Sequence, residues 1–327
     1  MSVEQTELMM AEADRFLDFG NFTSALSVYS KIIELNPQHD EAYAMMGSVH
    51  GELGNTVVAL EFLEKALSLN PENADAWLIQ GMLQQNSGKK TLALSSLKMA
   101  VKFADDYDVA HFTLAKLSLE QGDKSQAIAS LKKTIECNSK HIDAVYMLGT
   151  IYQSNMDHET ALKYFMSAVD LQPGHMNSLR NIPIELLALK RFDDAETFAL
   201  NALVKLPSDS MLFKNLADIR VEQGRLTEAI DFSAKASQMS PGNQYFFLLY
   251  ADLVEKRGDY ENVLEMLRPM LEINPPVCDA VILFSKFAPH LGMNDQAIQL
   301  ITRLKAVNEI NQQQTLILNK ALMWLAR

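Results

Sequence analysis

Apolar residues recur along this chain at i, i+3, i+4 and i+7 in short stretches, most of them closed by a glycine or a proline. Residues 40–73 show the arrangement. Tyr43, Met46, Gly47 and His50 fall on one face of a helix, and Gly54 stops it because glycine accepts the left-handed backbone that ends helices. Asn55 then stands where an N-cap belongs. Ala59, Leu63 and Ala66 line the buried face of a second helix, which Pro71 closes. Small residues at Gly47 and Ala59 let the two helices approach closely. The pattern predicts a helical hairpin with a tight turn.

The hairpin recurs every 34 residues without a slip in register. Counted from Thr6, position 15 is Gly20, Gly54, Gly88, Gly122, Gly224, Gly258 and Gly292. Position 20 is alanine in eight units, from Ala25 to Ala297, and position 32 is Pro37, Pro71, Pro173, Pro207, Pro241 and Pro275. Nine units follow: 6–39, 40–73, 74–107, 108–141, 142–175, 176–209, 210–243, 244–277 and 278–311. Residues 312–327 continue as the first helix of a tenth. Such units cannot bury their apolar faces alone and must stack, so we expect a single elongated domain over residues 1–327.

The pattern departs from itself at three places. Met156 and Lys190 replace the position-15 glycine, and Pro183 sits at position 8, inside the first helix of the sixth unit. An interior proline removes a hydrogen bond and clashes with the preceding turn, at a cost of roughly 3 kcal/mol. The expectation is a helix broken or kinked at Pro183 with a new N-cap near Asn181. Pro269 and Pro289 raise the same expectation in the eighth and ninth units.

Hydrophobic residues make up 48% of the chain and charged residues 21%, which suits a packed core and argues against disorder. The net charge of −12 is unevenly placed: residues 1–175 hold 23 acidic and 13 basic residues, residues 176–327 hold 18 and 16. An acidic surface repels phosphate backbones, which excludes nucleic acid as the expected partner and suits basic peptides or basic protein faces on the first half. Cys137 and Cys278 form no disulfide framework. The chain begins acidic with no basic-then-apolar leader, and no apolar run reaches about 18 residues, so no membrane span and a cytoplasmic location are expected. Seven histidines are scattered, with His39, His141 and His175 sharing the inter-repeat turn. They have no neighbouring cysteine or carboxylate ligands that would make a metal site. No nucleophile elbow, HExxH or dinucleotide fingerprint occurs, and Gly88-Lys89-Lys90 lacks the leading glycine of a phosphate loop. Neither catalysis nor a cofactor is expected.

Trp77, Gly81, Ala93 and Ala100 in the third unit, and Leu148, Gly149, Tyr152, Ala161, Phe165, Ala168 and Pro173 in the fifth, resemble the signature of the tetratricopeptide repeat family. The resemblance covers nearly the whole chain. It implies an all-α, right-handed superhelical solenoid whose first helices line a concave groove that binds peptides or protein segments. It also implies that positions 2, 5, 6, 9, 12 and 13 of each first helix point into or beside that groove. In the first two units these include Glu7, Met10, Asp14, Asp18, Glu41, Met45 and Glu52. Asp75, Leu78, Met82, Phe112, Lys116, Tyr146 and Thr150 then form a mixed apolar and polar floor. Arg180-Asn181 and Lys214-Asn215 repeat one period apart, and Asp218, Tyr245, Asp252, Glu255 and Lys286 continue the wall.

Paired groove asparagines resemble the ladder by which tetratricopeptide arms of intracellular glycosyltransferases hold extended chains, since an amide both donates and accepts. A carboxylate clamp for chaperone C-termini is disfavoured, because Ile184, Tyr245 and Leu249 occupy places that would need polar residues. The expected function is a non-enzymatic scaffold for a peptide or protein segment. The alternative is the repeat arm of a larger enzyme, of glycosyltransferase or sulfotransferase type, with its catalytic domain elsewhere. The tail Ala321-Leu322-Met323-Trp324-Leu325-Ala326 is too apolar for a solvated cap. It calls for further chain, packing on itself, or self-association.

Overall fold

A computed structural model describes residues 3–240, 243–306 and 310–325, and all regular structure among them is helical. Pro241, Ala326 and Arg327 lie outside the described residues, as does the Trp324 side chain. The chain forms two compact units, Met1–Leu171 and Gln172–Arg327.

Five helix pairs build the first unit: α1 (Val3–Asp18) with α2 (Phe22–Leu35), α3 (Asp40–Glu52) with α4 (Thr56–Leu69), α5 (Ala74–Asn86) with α6 (Lys90–Phe103), α7 (Asp108–Glu120) with α8 (Lys124–Cys137), and α9 (Ile142–Ser154) with α10 (His158–Leu171). The second unit pairs α11 (Met176–Ala188) with α12 (Phe192–Lys205), α13 (Ser210–Glu222) with α14 (Leu226–Met239), and α15 (Gln244–Lys256) with α16 (Tyr260–Glu272). Then α17 (Cys278–Phe287), extended by a 3-10 turn over Ala288–Leu291, pairs with α18 (Asn294–Lys305), and α19 (Gln312–Leu325) closes the series. First helices of successive hairpins lie side by side: α3, α5 and α7 in one unit, α11 with α13 and α15 with α17 and α19 in the other. This is an α-solenoid of stacked hairpins.

The turn within a hairpin follows from its glycine. Gly54 takes φ +77°, and the Asn55 amide reaches back to the His50 carbonyl at 2.9 Å, satisfying a helix-end acceptor. Asn55 stands at the N-cap of α4, but its side chain makes no capping bond there. Met156 (φ 61°) and Lys190 (φ 59°) adopt the same left-handed backbone, so the turn survives the loss of glycine at a conformational cost.

Close approach of the two helices rests on a small residue facing a large one. A Cβ added at Gly47 would stand 2.7 Å from Leu63 Cγ, and one at Gly149 only 2.6 Å from Phe165 Cε1. Tyr29, Leu63, Leu97, Leu131 and Phe165 recur at the large position and are all fully buried. Each such burial stabilises the fold by about 1.5–3 kcal/mol.

Between hairpins, the turn residue caps the next first helix. His39, Asn73, His141, His175 and Asp209 accept the backbone amides of Ala42, Ala76, Ala144, Ser178 and Leu212. The three histidines are therefore helix caps, through Nδ1. Such a cap contributes about 1 kcal/mol.

The expected break at Pro183 does not occur. Helix α11 runs unbroken from Met176 to Ala188, its N-cap is His175, and Asn181 lies inside it. Two compensations explain this. Pro183 has no amide to offer the Leu179 carbonyl, and at the adjoining Arg180 carbonyl Asn215 Nδ2 of α13 donates at 2.8 Å. The large and small positions are also exchanged, Pro183 facing the second helix where Ala199 replaces a leucine or phenylalanine, with both residues buried. Helix α16 likewise continues through Pro269. Pro289 does end an α-helix: α17 stops at Phe287 and gives way to the 3-10 turn.

The apolar tail packs on its own unit. Leu318 and Leu325 are buried in a cluster with Phe284, Phe287 and Ile301, and Leu322 is partly buried against it.

Candidate functional site

The residues that the repeat pattern assigns to the groove fall into three stretches, and each uses its charges differently. On α11 and α13 the cations are already engaged. Arg180 grips Asp209 through Nε at 2.8 Å and Nη2 at 2.6 Å, and Asp209, nearly fully buried, also caps α13. Lys214 pairs with Asp218 at 2.6 Å one turn along the same helix. Asn215 is only 2% exposed, donates to the Arg180 carbonyl and leaves its buried Oδ1 without a protein partner. Asn181, one period earlier, is half-buried. The two asparagines are thus not equivalent rungs: Asn215 is a tie between helices, inaccessible from solvent.

Sequence reasoning passed over the network behind these helices. Arg220, 5% exposed, is bidentate to Glu196 of α12, and Gln223 donates to the same carboxylate at 3.1 Å. The Arg220 hydrogen bonds hold the Glu196 carboxyl below the usual carboxylate range, against the opposing effect of burial. The signal was available: Arg220 is a cation at position 11, where other first helices place Tyr152, Leu186 or Val254.

On α15 and α17 an apolar cleft of about 520 Å³ is lined by Tyr245, Leu248, Leu249, Ile282 and Leu283, with Asp252, Asp279 and Lys286 at its edge. Tyr245 is 53% exposed and leans edge-on against Phe246. Asp252 accepts from Lys256 at 2.9 Å and Lys286 at 3.0 Å. Partial burial works against its ionisation, but those two hydrogen bonds outweigh it and lower the carboxyl. Tyr245, Asp252 and Lys286 therefore line one cleft.

In the first unit, Met82 is 42% exposed, and Phe112 and Tyr146 are half-buried. Phe112 packs on the His141 ring at 4.4 Å, with Lys116 Nζ over the Phe112 ring 5.8 Å from its centroid, and Tyr146 rests on Phe165 at 5.6 Å. Leu78, by contrast, is core. It is 4% exposed among Leu97, Ala110 and Leu114. A second cleft of about 420 Å³ opens beside α1, lined by Glu7, Met10, Asp14, His39 and Glu41. Desolvation in this cleft raises the Glu41 carboxyl above its usual range, opposed by His39 and reinforced by Asp75, Asp14 and Asp40.

Among the described residues, no group of three or more histidine, cysteine or acidic side chains is placed to hold a metal ion. No described helix is long and apolar enough to cross a membrane.

Models of the tetratricopeptide repeat match residues 40–73, 142–175 and 184–243. The chain is a tetratricopeptide repeat protein. The third matched stretch of this tetratricopeptide repeat protein begins just after Pro183, the residue that departs furthest from the pattern. Its fold is that of the C-terminal part of a repeat-containing protein from Cytophaga hutchinsonii, at TM-score 0.57 and 16% identity over 72% of this chain and 97% of that one. It also matches PilW, described as a widely conserved type IV pilus biogenesis factor, at TM-score 0.51 and 16% identity, covering 64% and 98% of the two chains. MamA is 26% identical over 53% of this chain and 94% of its own, with a TM-score of 0.43. No curated protein matches the chain. Tetratricopeptide repeats are protein-interaction scaffolds in general, and this chain is one.

Proposed function

We propose that the chain is a non-enzymatic scaffold whose first-helix face binds a segment of another protein. The cleft on α15 and α17 is the observation that carries this reading. It leaves Tyr245, Leu248, Leu249 and Ile282 open beside a matched pair of charges, a combination that suits an apolar anchor flanked by polar contacts. Met82, Phe112 and Tyr146 support the same use of the face in the first unit, and Arg180, Asn181, Lys214 and Asp218 in the second. Asn215 contributes indirectly, through the Arg180 carbonyl. The exposed Leu316, Ile317 and Met323 of α19 support a separate contact surface for self-association, which light scattering across a concentration series tests.

The test of the main reading is affinity capture and titration of whatever is captured, using the intact chain and Tyr245→Ala with Ile282→Ala. The expected result is weaker binding by the double variant with unchanged helicity. Amide-exchange protection of α16 and α18 in place of α15 and α17, with no effect of the two substitutions, would overturn it.

A further inference from the structure

The first-helix face of the first unit has an apolar floor with an acidic rim. Met10, Met45, Ile79 and Met82 form the floor over α1, α3 and α5, with Met45 and Ile79 half-buried and Met82 open. Methionine is flexible and polarisable, so such a floor adapts to large aliphatic or aromatic side chains. Along the rim Glu7, Asp14, Glu41 and Asp75 are exposed. Among the described residues none of the four is ion-paired with lysine or arginine; the ion pairs of this unit lie further along, at Lys90–Glu120 and around Lys133. Asp14 and Asp75 instead accept tyrosine hydroxyls, from Tyr29 at 2.7 Å and Tyr107 at 2.6 Å. The next cation on the face is Lys116, exposed beside Phe112, and it marks where the acidic stretch ends.

Charge separates this face from its counterpart. In the second unit Asp209, Asp218 and Asp252 are matched by Arg180, Lys214, Lys256 and Lys286, while Asp279 of α17 accepts from Gln314 at 3.2 Å. An apolar strip whose own carboxylates lack cations is complementary to a ligand that brings both apolar and cationic groups.

We propose that the face of α1, α3 and α5 docks a basic amphipathic segment of a partner protein, with its apolar side chains on Met45, Ile79 and Met82 and its lysines or arginines against Glu7, Asp14, Glu41 and Asp75. This rests on the first-helix face being the binding surface and adds the chemical class of its occupant. The three hairpins set the polarity: cationic residues lie over α1 to α5, and the segment carries none over Lys116.

The test is fluorescence anisotropy of the intact chain with three labelled peptides of identical leucine spacing, carrying lysine, glutamine or glutamate at the polar positions. The lysine peptide binds tightest, by about tenfold over the glutamine peptide, and the glutamate peptide binds weakest. Raising salt from low to about 0.5 M removes most of the lysine advantage, because exposed charges are screened over a few ångströms there. Glu7→Gln with Glu41→Gln, both exposed and isosteric, removes it as well while circular dichroism is unchanged. Glu222→Gln in the second unit leaves it intact. Equal binding of the lysine and glutamine peptides, both abolished by Met82→Asp, overturns the basic assignment and keeps the face. Lysine-peptide binding that survives both Met82→Asp and the double glutamine variant overturns the assignment and the face together.

Discussion

Helices α1, α3 and α5 together carry nine carboxylates and one cation, Arg15, whereas α11, α13, α15 and α17 carry six carboxylates and five cations. The backbone plan is the same in both units, so the difference is one of charge use. In the second unit arginines and lysines are spent internally: Arg180 on Asp209, Lys214 on Asp218, Arg220 on Glu196, and Lys256 and Lys286 on Asp252. These pairs hold one helix to the next or stiffen a helix face. In the first unit the joint between α3 and the α4–α5 turn is held by amides on a carboxylate, Asn70 and Asn73 on Asp40, each at 2.8 Å, and its ion pairs lie further along, at Lys90–Glu120 and Lys133–Asp105. Of its rim carboxylates, Asp14 and Asp75 accept tyrosine hydroxyls, and none of the four has a lysine or arginine partner among the described residues.

Breaking one interaction in each unit sharpens the contrast most. Arg220→Ala leaves Glu196 partly buried without its main partner, and removing one member of a buried pair costs about 3 kcal/mol. Urea unfolding followed by circular dichroism should show that loss, while Glu41→Gln leaves the midpoint unchanged or slightly higher. An Arg220→Ala variant as stable as the parent would mean that the pair is not structural.

A steric change in the first unit should come next. Gly149→Ala places a Cβ against the buried Phe165 ring, and overpacking of this kind costs about 2 kcal/mol. The same measurement checks it.

How much of this was visible in the sequence depends on distance along the chain. Gly54, Gly47 and Ala59 act within one hairpin, so spacing alone placed both helices and the turn. The cleft at Tyr245, Asp252 and Lys286 was also legible, because its residues occupy repeat positions that differ only by one period. Pro183 was misjudged because the residues that accommodate it, Ala199 and Asn215, are local neither to its helix nor to its turn. Arg180-Asn181 and Lys214-Asn215 looked like one repeated pair for the same reason. Their partners, Asp209 and the Arg180 carbonyl, are chosen in space, and Asp209 reads in sequence only as a turn residue. Leu78 was misplaced because whether position 5 reaches solvent depends on the neighbouring helices: Leu78 packs among Leu97, Ala110 and Leu114, whereas Leu248 at the same position lines the cleft.

Acidification should separate the units. Glu196 and Asp252 have carboxyls lowered in the fold, so their contribution is present above the ordinary glutamate and aspartate pKa values of about 4 and is lost as pH falls through the lowered ones. Glu41 is raised, so its stabilising effect is present below that value and disappears as pH rises through its raised pKa. Between pH 7 and pH 4 the first unit therefore gains from Glu41, while below about pH 4 the second loses from Glu196 and Asp252 and the first loses only the solvent-screened contribution of Glu120, whose carboxyl Lys90 lowers. With Trp324 replaced by Phe, Trp77 fluorescence reports melting of the first unit, and comparison with circular dichroism of the whole chain reads the difference. Parallel pH profiles for the two signals would contradict the contrast.

The smallest effect is one the units share. Met156→Gly in the first unit and Lys190→Gly at the start of the second relieve a left-handed backbone, for a gain of roughly 0.5 kcal/mol each after the added freedom of the unfolded chain is counted. Because no charge partner is involved at Met156, thermal melting should show similar gains at both sites. A loss at either would show that the side chain itself supports the turn.

The central claim is that the first-helix face of the first unit is an open acidic receptor, while on α11 and α13 of the second the charges are engaged by one another. Amide hydrogen exchange of the intact chain, with and without the lysine peptide at low salt, tests it most directly. The account predicts slowed exchange on α1, α3 and α5 and little change on α11 and α13. Protection confined to α11 and α13, or to the second helices α2, α4 and α6, would contradict it.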